Sequence, residues 1–177
     1  GLSLTIGSIL GIIFTLAALF IPEHIMRIFS KDTEVIKLGV DYLRIVSISY
    51  IITGISFCYA VASRSIGQAK MPMVVSIISF VTNATFNYLL IFGKFGFPQL
   101  GIKGAAYGTL IARIVEIGLI LYSIYSDSNN PLAGNIKDMT DWTSDFVKKY
   151  FKTAYPVILN EALWSLGTVL YSIAYAK

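Results

Sequence analysis

Charge is missing from three long stretches of the chain: Gly1 to Pro22, Ile45 to Ser63 between Arg44 and Arg64, and Met71 to Gly93 between Lys70 and Lys94. A hydrocarbon core of ~30 Å is crossed by about 20 helical residues, and each stretch is about that long. Lipid offers the backbone no hydrogen bonds, so each stretch predicts a helix that satisfies its own N–H and C=O groups. Extended along the chain, the pattern predicts five spans. The first covers about Leu2 to Ile21 and stops at Pro22, which a helix does not tolerate in its interior. Glu23 to Tyr42 alternates charged residues with Ile25, Met26, Ile28, Phe29, Val35, Ile36 and Leu38. That alternation predicts a short interfacial helix followed by the start of the second span. Asp32 is the expected N-cap, with Glu34 in the first turn facing the positive end of the helix dipole. The second span continues from about Leu43 to Ser63 and the third from Met73 to Phe92, with Pro72 where a first-turn proline is tolerated. Gly93 to Pro98 reads as a turn. The fourth span is about Gly104 to Tyr125, and the fifth about Ala154 to Ala176.

Composition agrees with the pattern. Of 177 residues, 55% are apolar and 14% charged, against about 25% charged in soluble domains, and the mean hydropathy is +0.70. The expected class is an all-α integral membrane protein, a multi-span helical bundle in a cell membrane. The first stretch lacks the basic start and small-residue cleavage site of a secretory signal, and its initial glycine suggests a piece of something longer. One cysteine, Cys58, excludes a disulfide framework or a thiolate cage. His24, beside Pro22 and Glu23, reads as an interfacial residue. The net charge of +4 is spread over several connections. A polybasic lipid-binding cluster takes roughly 4–8 basic residues together, and no such run occurs; nucleic acid is not indicated. Arg64, Lys70, Lys137, Lys148, Lys149 and Lys152 balance Arg27, Lys31, Lys37, Arg44, Lys94 and Lys103 across the expected spans. The positive-inside rule therefore gives no orientation.

The one sizeable polar segment is Ser126 to Lys152. It opens with Asp127-Ser128-Asn129-Asn130-Pro131, read as a flexible loop. From Trp142, the residues Trp142, Phe146, Tyr150 and Phe151 follow near-helical spacing opposite Asp145, Lys148, Lys149 and Lys152. That is the signature of an amphipathic helix on the membrane surface.

Polar side chains inside a span cost about 2.5–3.5 kcal/mol each on insertion scales and are candidates for function. Glu161 lies roughly two turns into the fifth span, beside Asn160. It is either a hydrogen-bonding partner for a neighbouring helix or an internal carboxylate that exchanges a proton or holds a cation. Asn83 and Asn87 share one face of the third span at i, i+4, as interhelical glue or as part of a site. Arg113 and Glu116, at i, i+3 on the fourth span, neutralise each other and read as structural. Thr109 offers a hydroxyl to either role. Gly101, Gly104 and Gly108, with Ala105 and Ala106, form a small-residue face that permits close helix contact. No nucleophile–base pair, phosphate loop or His/Cys cluster argues for an enzyme.

The stretch Asn83-Ala84-Thr85-Phe86-Asn87-Tyr88-Leu89-Leu90-Ile91-Phe92-Gly93-Lys94-Phe95-Gly96, then Pro98, Leu100-Gly101 and Gly104-Ala105-Ala106-Tyr107-Gly108-Thr109, resembles the multidrug and toxic compound extrusion (MATE) family. Arg64 to Pro72, Pro22 to Tyr42 and Pro156 to Trp164 resemble other connections and a helix start in that family, so the likeness covers essentially the whole chain. It implies helices three to seven of a two-lobe, twelve-helix transporter that exports organic cations and other amphipathic compounds in exchange for Na⁺ or H⁺. Residues 1–125 would then be four helices of the N-terminal lobe, 126–152 the cytoplasmic inter-lobe linker, and 153–177 the first helix of the C-terminal lobe. The resemblance carries Glu161 onto a second-lobe cation or proton site, and Asn83, Asn87 and Thr109 onto a first-lobe site. Some members have Asp at position 87, so the neutral Asn87 weakens a Na⁺ site there.

These readings lead to cation-coupled efflux by alternating access in the complete protein, the piece being inactive alone. The expected coupling residues are Glu161, Asn83, Asn87 and Thr109. Na⁺, at Glu161 or at Asn83 and Asn87, is the only metal expected, and no cofactor is expected beyond the coupling ion. The expected partners are amphipathic or cationic small molecules, the bilayer and the remaining helices. Two alternatives stand beside it: a flippase of lipid-linked oligosaccharides from the same superfamily, and a non-transporting membrane scaffold.

Overall fold

The computed structural model describes residues 1–127, 129–135 and 139–175. Ser128 and Lys137 of the expected linker, and Ala176 at the end of the fifth expected span, lie outside them. Helices make up the described fold, and no strand occurs among the described residues. The first helix, α1, is Leu2–Phe20. Pro22, at the start of α2 (Pro22–Phe29), separates the two. Glu23 sits in the first turn of α2 and pairs with Arg27 at 2.6 Å, each charge facing the helix end that suits it.

The third helix, α3 (Thr33–Ser65), starts where expected. Asp32 accepts hydrogen bonds from the N–H groups of Glu34 at 2.8 Å and Val35 at 3.4 Å, removing two of the orphan donors at a helix start. At about 1.5 Å per residue its 33 residues exceed the thickness of the hydrocarbon. Its charges, Glu34, Lys37, Asp41 and Arg44, fall before the uncharged stretch from Ile45 to Ser63. The first turns therefore stand outside the apolar layer. Gly67, at φ +82°, ends this helix by letting Gln68 N–H reach back to Ser63 C=O at 2.9 Å.

Lys70–Phe92 forms α4. Gly93 adopts the left-handed conformation, so Lys94 N–H reaches Leu89 C=O at 3.2 Å, and Leu100 N–H returns to Leu90 C=O at 2.8 Å. Ile102–Tyr125 forms α5, entered through Gly101 at φ +55°, ψ −125°, a backbone shape in which a Cβ is strained. Among the described residues, α1, α3, α4 and α5 are each long and apolar enough to cross a membrane. The chain is a multi-pass membrane protein.

These helices pack in the order α1, α3, α5, α4, with α2 folded against α3. The α1–α3 seam is antiparallel. A Cβ on Gly54 would stand 2.8 Å from Gly7 C=O, and one on Gly11 would stand 2.8 Å from the Ile51 Cα. Below these contacts the Thr15 hydroxyl donates to Ser47 C=O at 2.8 Å. The helices α3 and α5 run in the same direction. Asp41 pairs with Lys103 at 3.2 Å at one end, and the Tyr59 and Tyr125 hydroxyls meet at 3.3 Å at the other.

Two expectations change. The expected surface helix and the expected fifth span form one unbroken helix, α6 (Ser144–Tyr175), with Pro156 inside it. Among the described residues, this helix is not one of the four that are long and apolar enough to cross a membrane. Pro156 takes away the backbone hydrogen bond to the carbonyl four residues back, yet the helix continues through it and through Gly167. This helix makes at most marginal contact with the other five. Residues 129–135, for their part, do not form a loose loop. Asn130 is buried and donates to the Gln68 side chain at 3.2 Å. Leu132, Ala133 and Met139 pack on the Tyr59, Val75, Ile120 and Ile124 cluster, and Gly1 has no room for a side chain beside Met139.

These contacts gather Gly1, the α3–α4 turn and the polar segment at one end of the bundle, and the α2–α3 and α4–α5 connections at the other. In the intact protein with Cys58→Ser, single cysteines at Ser30 and at Asn129 should react with an impermeant maleimide from opposite sides of the membrane. Asn129 is the position to use because Asn130 is buried. Labelling of both from the same side would overturn the topology.

Candidate functional site

The seam between α4 and α5 concentrates the polar groups of the four-helix unit. Its closeness comes from glycine. A Cβ at Gly104 would run into the backbone of Leu90, and one at Gly108 would occupy the place of the Asn87 side-chain oxygen. Gly104 and Gly108 therefore belong to the contact with α4, whereas Gly101 has open space around it and is needed for its backbone shape. The antiparallel register that follows sets Asn87 beside Gly108, Asn83 beside Thr109 and Ser79 beside Ala112.

Three of the four expected residues meet in this seam. The Asn87 amide N–H donates to the Asn83 carbonyl oxygen at 3.0 Å. The Asn83 amide N–H donates in turn to the Thr109 hydroxyl at 3.4 Å, and that hydroxyl donates to Ala105 C=O at 3.0 Å. Both amides thus face a helix rather than lipid, as the cost of an unpartnered amide in hydrocarbon requires. The side-chain oxygen of Asn87 is buried without a hydrogen-bond partner among the described residues, lying where Gly108 leaves its backbone bare.

One turn further along α4 the seam becomes charged. The Arg113 guanidinium donates to the Glu116 carboxylate at 2.6 Å, and the Ser79 hydroxyl is 3.3 Å from the same carboxylate oxygen. Glu116 is the better shielded partner, its side chain 14% exposed against 39% for Arg113. The two groups share a cavity of about 360 Å³ with Ser76, Ser79, Phe80, Asn83, Thr109 and Ala112. The pair expected to be structural therefore lies in the same cavity as Asn83 and Thr109. Sequence reasoning passed over Ser79, although it stands four residues before Asn83 and extends the Asn83–Asn87 stripe by one turn. Chemically the arrangement offers neutral oxygens from two helices and one carboxylate already matched to an internal cation.

Glu161 is not part of this cluster. It lies exposed on α6, and among the described residues no hydrogen bond or ion pair to it appears. Nothing on α1 to α5 reaches it.

The MatE family pattern matches residues 1–89, half of the chain. The chain belongs to the MatE family. Relatives extend the likeness beyond the matched half. The chain is 27% identical over 163 residues to the "Probable multidrug resistance protein NorM" of Thermotoga maritima, covering 92% of this chain and 34% of that protein. It is 28% identical over 171 residues to the "Probable multidrug resistance protein YoeA" of Bacillus subtilis, covering 96% and 37%. The "Multidrug export protein MepA" of Staphylococcus saprophyticus is 27% identical over 165 residues, covering 93% and 35%. This MatE chain thus spans about a third of the length of these relatives. Its fold is similar to a solved structure described as the inward-facing conformation of a multidrug resistance MATE family transporter of the MOP superfamily. That similarity has a TM-score of 0.75 at 20% identity, over 86% of this chain and 34% of the other.

Gly108 is the position on which the seam's geometry turns. In the intact protein Gly108→Ala should force the Asn87 amide out of place and destabilise by about 1–3 kcal/mol, the usual range for overpacking. Thermal unfolding in detergent measures it. An unchanged midpoint would mean that the amide rotates away freely and that the seam does not depend on it.

Proposed function

We propose that the complete protein is a cation-coupled antiporter, driven by Na⁺ or H⁺, that exports drugs and organic cations by alternating access. The described helices would supply most of one lobe and the first helix of the other. The observation that carries this reading is the hydrogen-bonded row Asn87, Asn83 and Thr109 opening onto the Arg113–Glu116 cavity, in a chain whose relatives are named for multidrug resistance and export. Amides, hydroxyls and a carboxylate at membrane depth are what a cation or proton site requires, and a fold held together by apolar packing alone would have no use for them. The seam supplies neutral oxygens, and its one carboxylate is matched by Arg113. A net charge that loads and unloads then falls to Glu161, which would complete its surroundings from helices of the second lobe.

Coupling follows from linkage. Ligand and coupling ion exchange only if both bias the same conformational equilibrium, either at one charge or through the states that charge selects. An oligosaccharide-lipid flippase is the weaker reading, because pyrophosphate calls for a basic cavity and the guanidinium in this one is neutralised at 2.6 Å.

The test is efflux by the full-length protein in proteoliposomes under imposed Na⁺ and pH gradients. The wild type should pump under at least one of them. Glu161→Gln keeps the size and most hydrogen-bonding capacity while removing the titration. It should insert normally yet lose gradient-driven efflux by at least tenfold. Pumping at the wild-type rate under both gradients would make Glu161 structural. A wild type that never responds to either gradient would favour the flippase or scaffold.

A further inference from the structure

A second cavity lies at the other end of the molecule, in the corner between α2 and the first turns of α3, and has a volume of about 530 Å³. Met26 seats α2 against α3 over Gly39, where a side chain would have no room. That contact fixes the two walls. The lining brings together four basic residues, Arg27, Lys31, Lys37 and Arg44, that no short stretch of sequence holds together. Two carboxylates, Glu23 and Asp41, share the cavity, and both are engaged. Glu23 pairs with Arg27 at 2.6 Å, and Asp41 with Lys103 at 3.2 Å on α5. The hydrogen bond from Arg27, with its charge, holds the Glu23 carboxyl below its ordinary range, so Glu23 stays anionic and tied to Arg27. Lys31, Lys37 and Arg44 are left without an ion pair among the described residues. The cavity thus holds three basic side chains, Lys31, Lys37 and Arg44, that no carboxylate of the lining neutralises.

Its depth identifies what the surplus faces. Arg44 is the last charge before the uncharged stretch of α3, so the cavity sits at the edge of the apolar layer. One turn deeper on the same face of α3, Ile48 is 54% exposed, and Ile28 and Phe29 near the end of α2 also present exposed apolar side chains. Cations at phosphate depth above an exposed apolar strip match an anionic amphiphile, the phosphate above and the chains below. A soluble anion would have no use for the strip, and a neutral lipid none for the three unpaired cations.

We propose that the α2–α3 corner binds the phosphodiester headgroup of an anionic phospholipid. Lys31, Lys37 and Arg44 contact the phosphate, and an acyl chain runs down the Ile48 face of α3. Occupancy would tie α2 to α3 at the membrane surface and brace the end of the helix pair that Asp41 and Lys103 also clamp.

The experiment uses the purified full-length protein in a neutral detergent and follows its thermal unfolding during titration with short-chain lipids. Dioctanoyl phosphatidylglycerol should raise the midpoint saturably, while dioctanoyl phosphatidylcholine and inorganic phosphate at equal concentration should not. Lys31→Gln, Lys37→Gln and Arg44→Gln combined should weaken the phosphatidylglycerol response at least tenfold. The charge-keeping pair Lys37→Arg and Arg44→Lys should retain it, which separates loss of the site from loss of the fold. An equal response to inorganic phosphate would mean a soluble-anion site and overturn the lipid assignment. A phosphatidylglycerol response that is absent from the wild type, or unchanged in the triple variant, would overturn the site itself.

Discussion

A polar group inside hydrocarbon has no water to return to, and most of this molecule's architecture follows from that constraint. Backbone groups meet it by forming helices, which pair every interior N–H and C=O within the segment. Helix ends meet it with capping groups: Asp32 at the start of α3, Gly67 and Gly93 as left-handed stops, and Leu100 N–H returning to Leu90 C=O. Side chains meet it across seams. Thr15 finds the backbone of α3, Asn83 finds Thr109, and Ser79 and Arg113 both find Glu116. Such bonds require helices to approach closely, and the close approaches occur where glycine has removed a side chain. Gly7, Gly11 and Gly54 do this for α1 and α3, and Gly104 and Gly108 for α4 and α5. The glycines that let the helices touch are the same ones that let the polar groups be satisfied.

That dependence explains what could be read along the chain. Spans are a property of runs, so the uncharged stretches, Pro22 and Gly93 located the helices closely. Asn83 and Asn87 advertised a shared face because i, i+4 spacing is local. Their partner was harder to see. Whether Thr109 or some other hydroxyl completes the row depends on the register between α4 and α5, and that register is set by where Gly104 and Gly108 let the backbones meet. Ser79 fell out of view for the same reason, since a serine in a membrane helix can bond to its own backbone, as Ser49 does to Val46. The polar segment misled in the opposite way. Its composition reads as solvent-exposed, yet Asn130 is buried because Gln68 happens to stand opposite, a fact about two turns more than sixty residues apart.

Two carboxylates, Glu116 on α5 and Glu161 on α6, differ in what the described helices supply to them. Glu116 has a guanidinium, a serine hydroxyl and a cavity built by neighbouring helices, so its charge is matched within the described unit. Glu161 has none of these. The helix that carries it packs only sparsely on α1 to α5, although the Tyr150 and Ser3 hydroxyls meet at 3.1 Å. The exposure of Glu161 follows from that sparse packing. A residue whose charge is settled locally is suited to holding two helices together.

Charge placement at the bundle ends follows a related logic. Counted by side, the basic residues divide evenly and suggest nothing. Folded, they do not stay evenly spread. Arg27 and Lys31 come from α2 and the connection after it, while Lys37 and Arg44 are seven residues apart on one face of α3, and the turn between the helices brings both sets to one cavity. Ion pairing then sharpens the contrast, since Arg27 spends its charge on Glu23 and Lys103 takes Asp41, so the cations left over are the three that line the corner. A patch of this kind cannot be recognised from any window of sequence, because its members are neither contiguous nor in excess. It exists because α2 is short enough to fold back and Gly39 bare enough to receive Met26. The geometry that closes the corner is therefore also what gives it a charge.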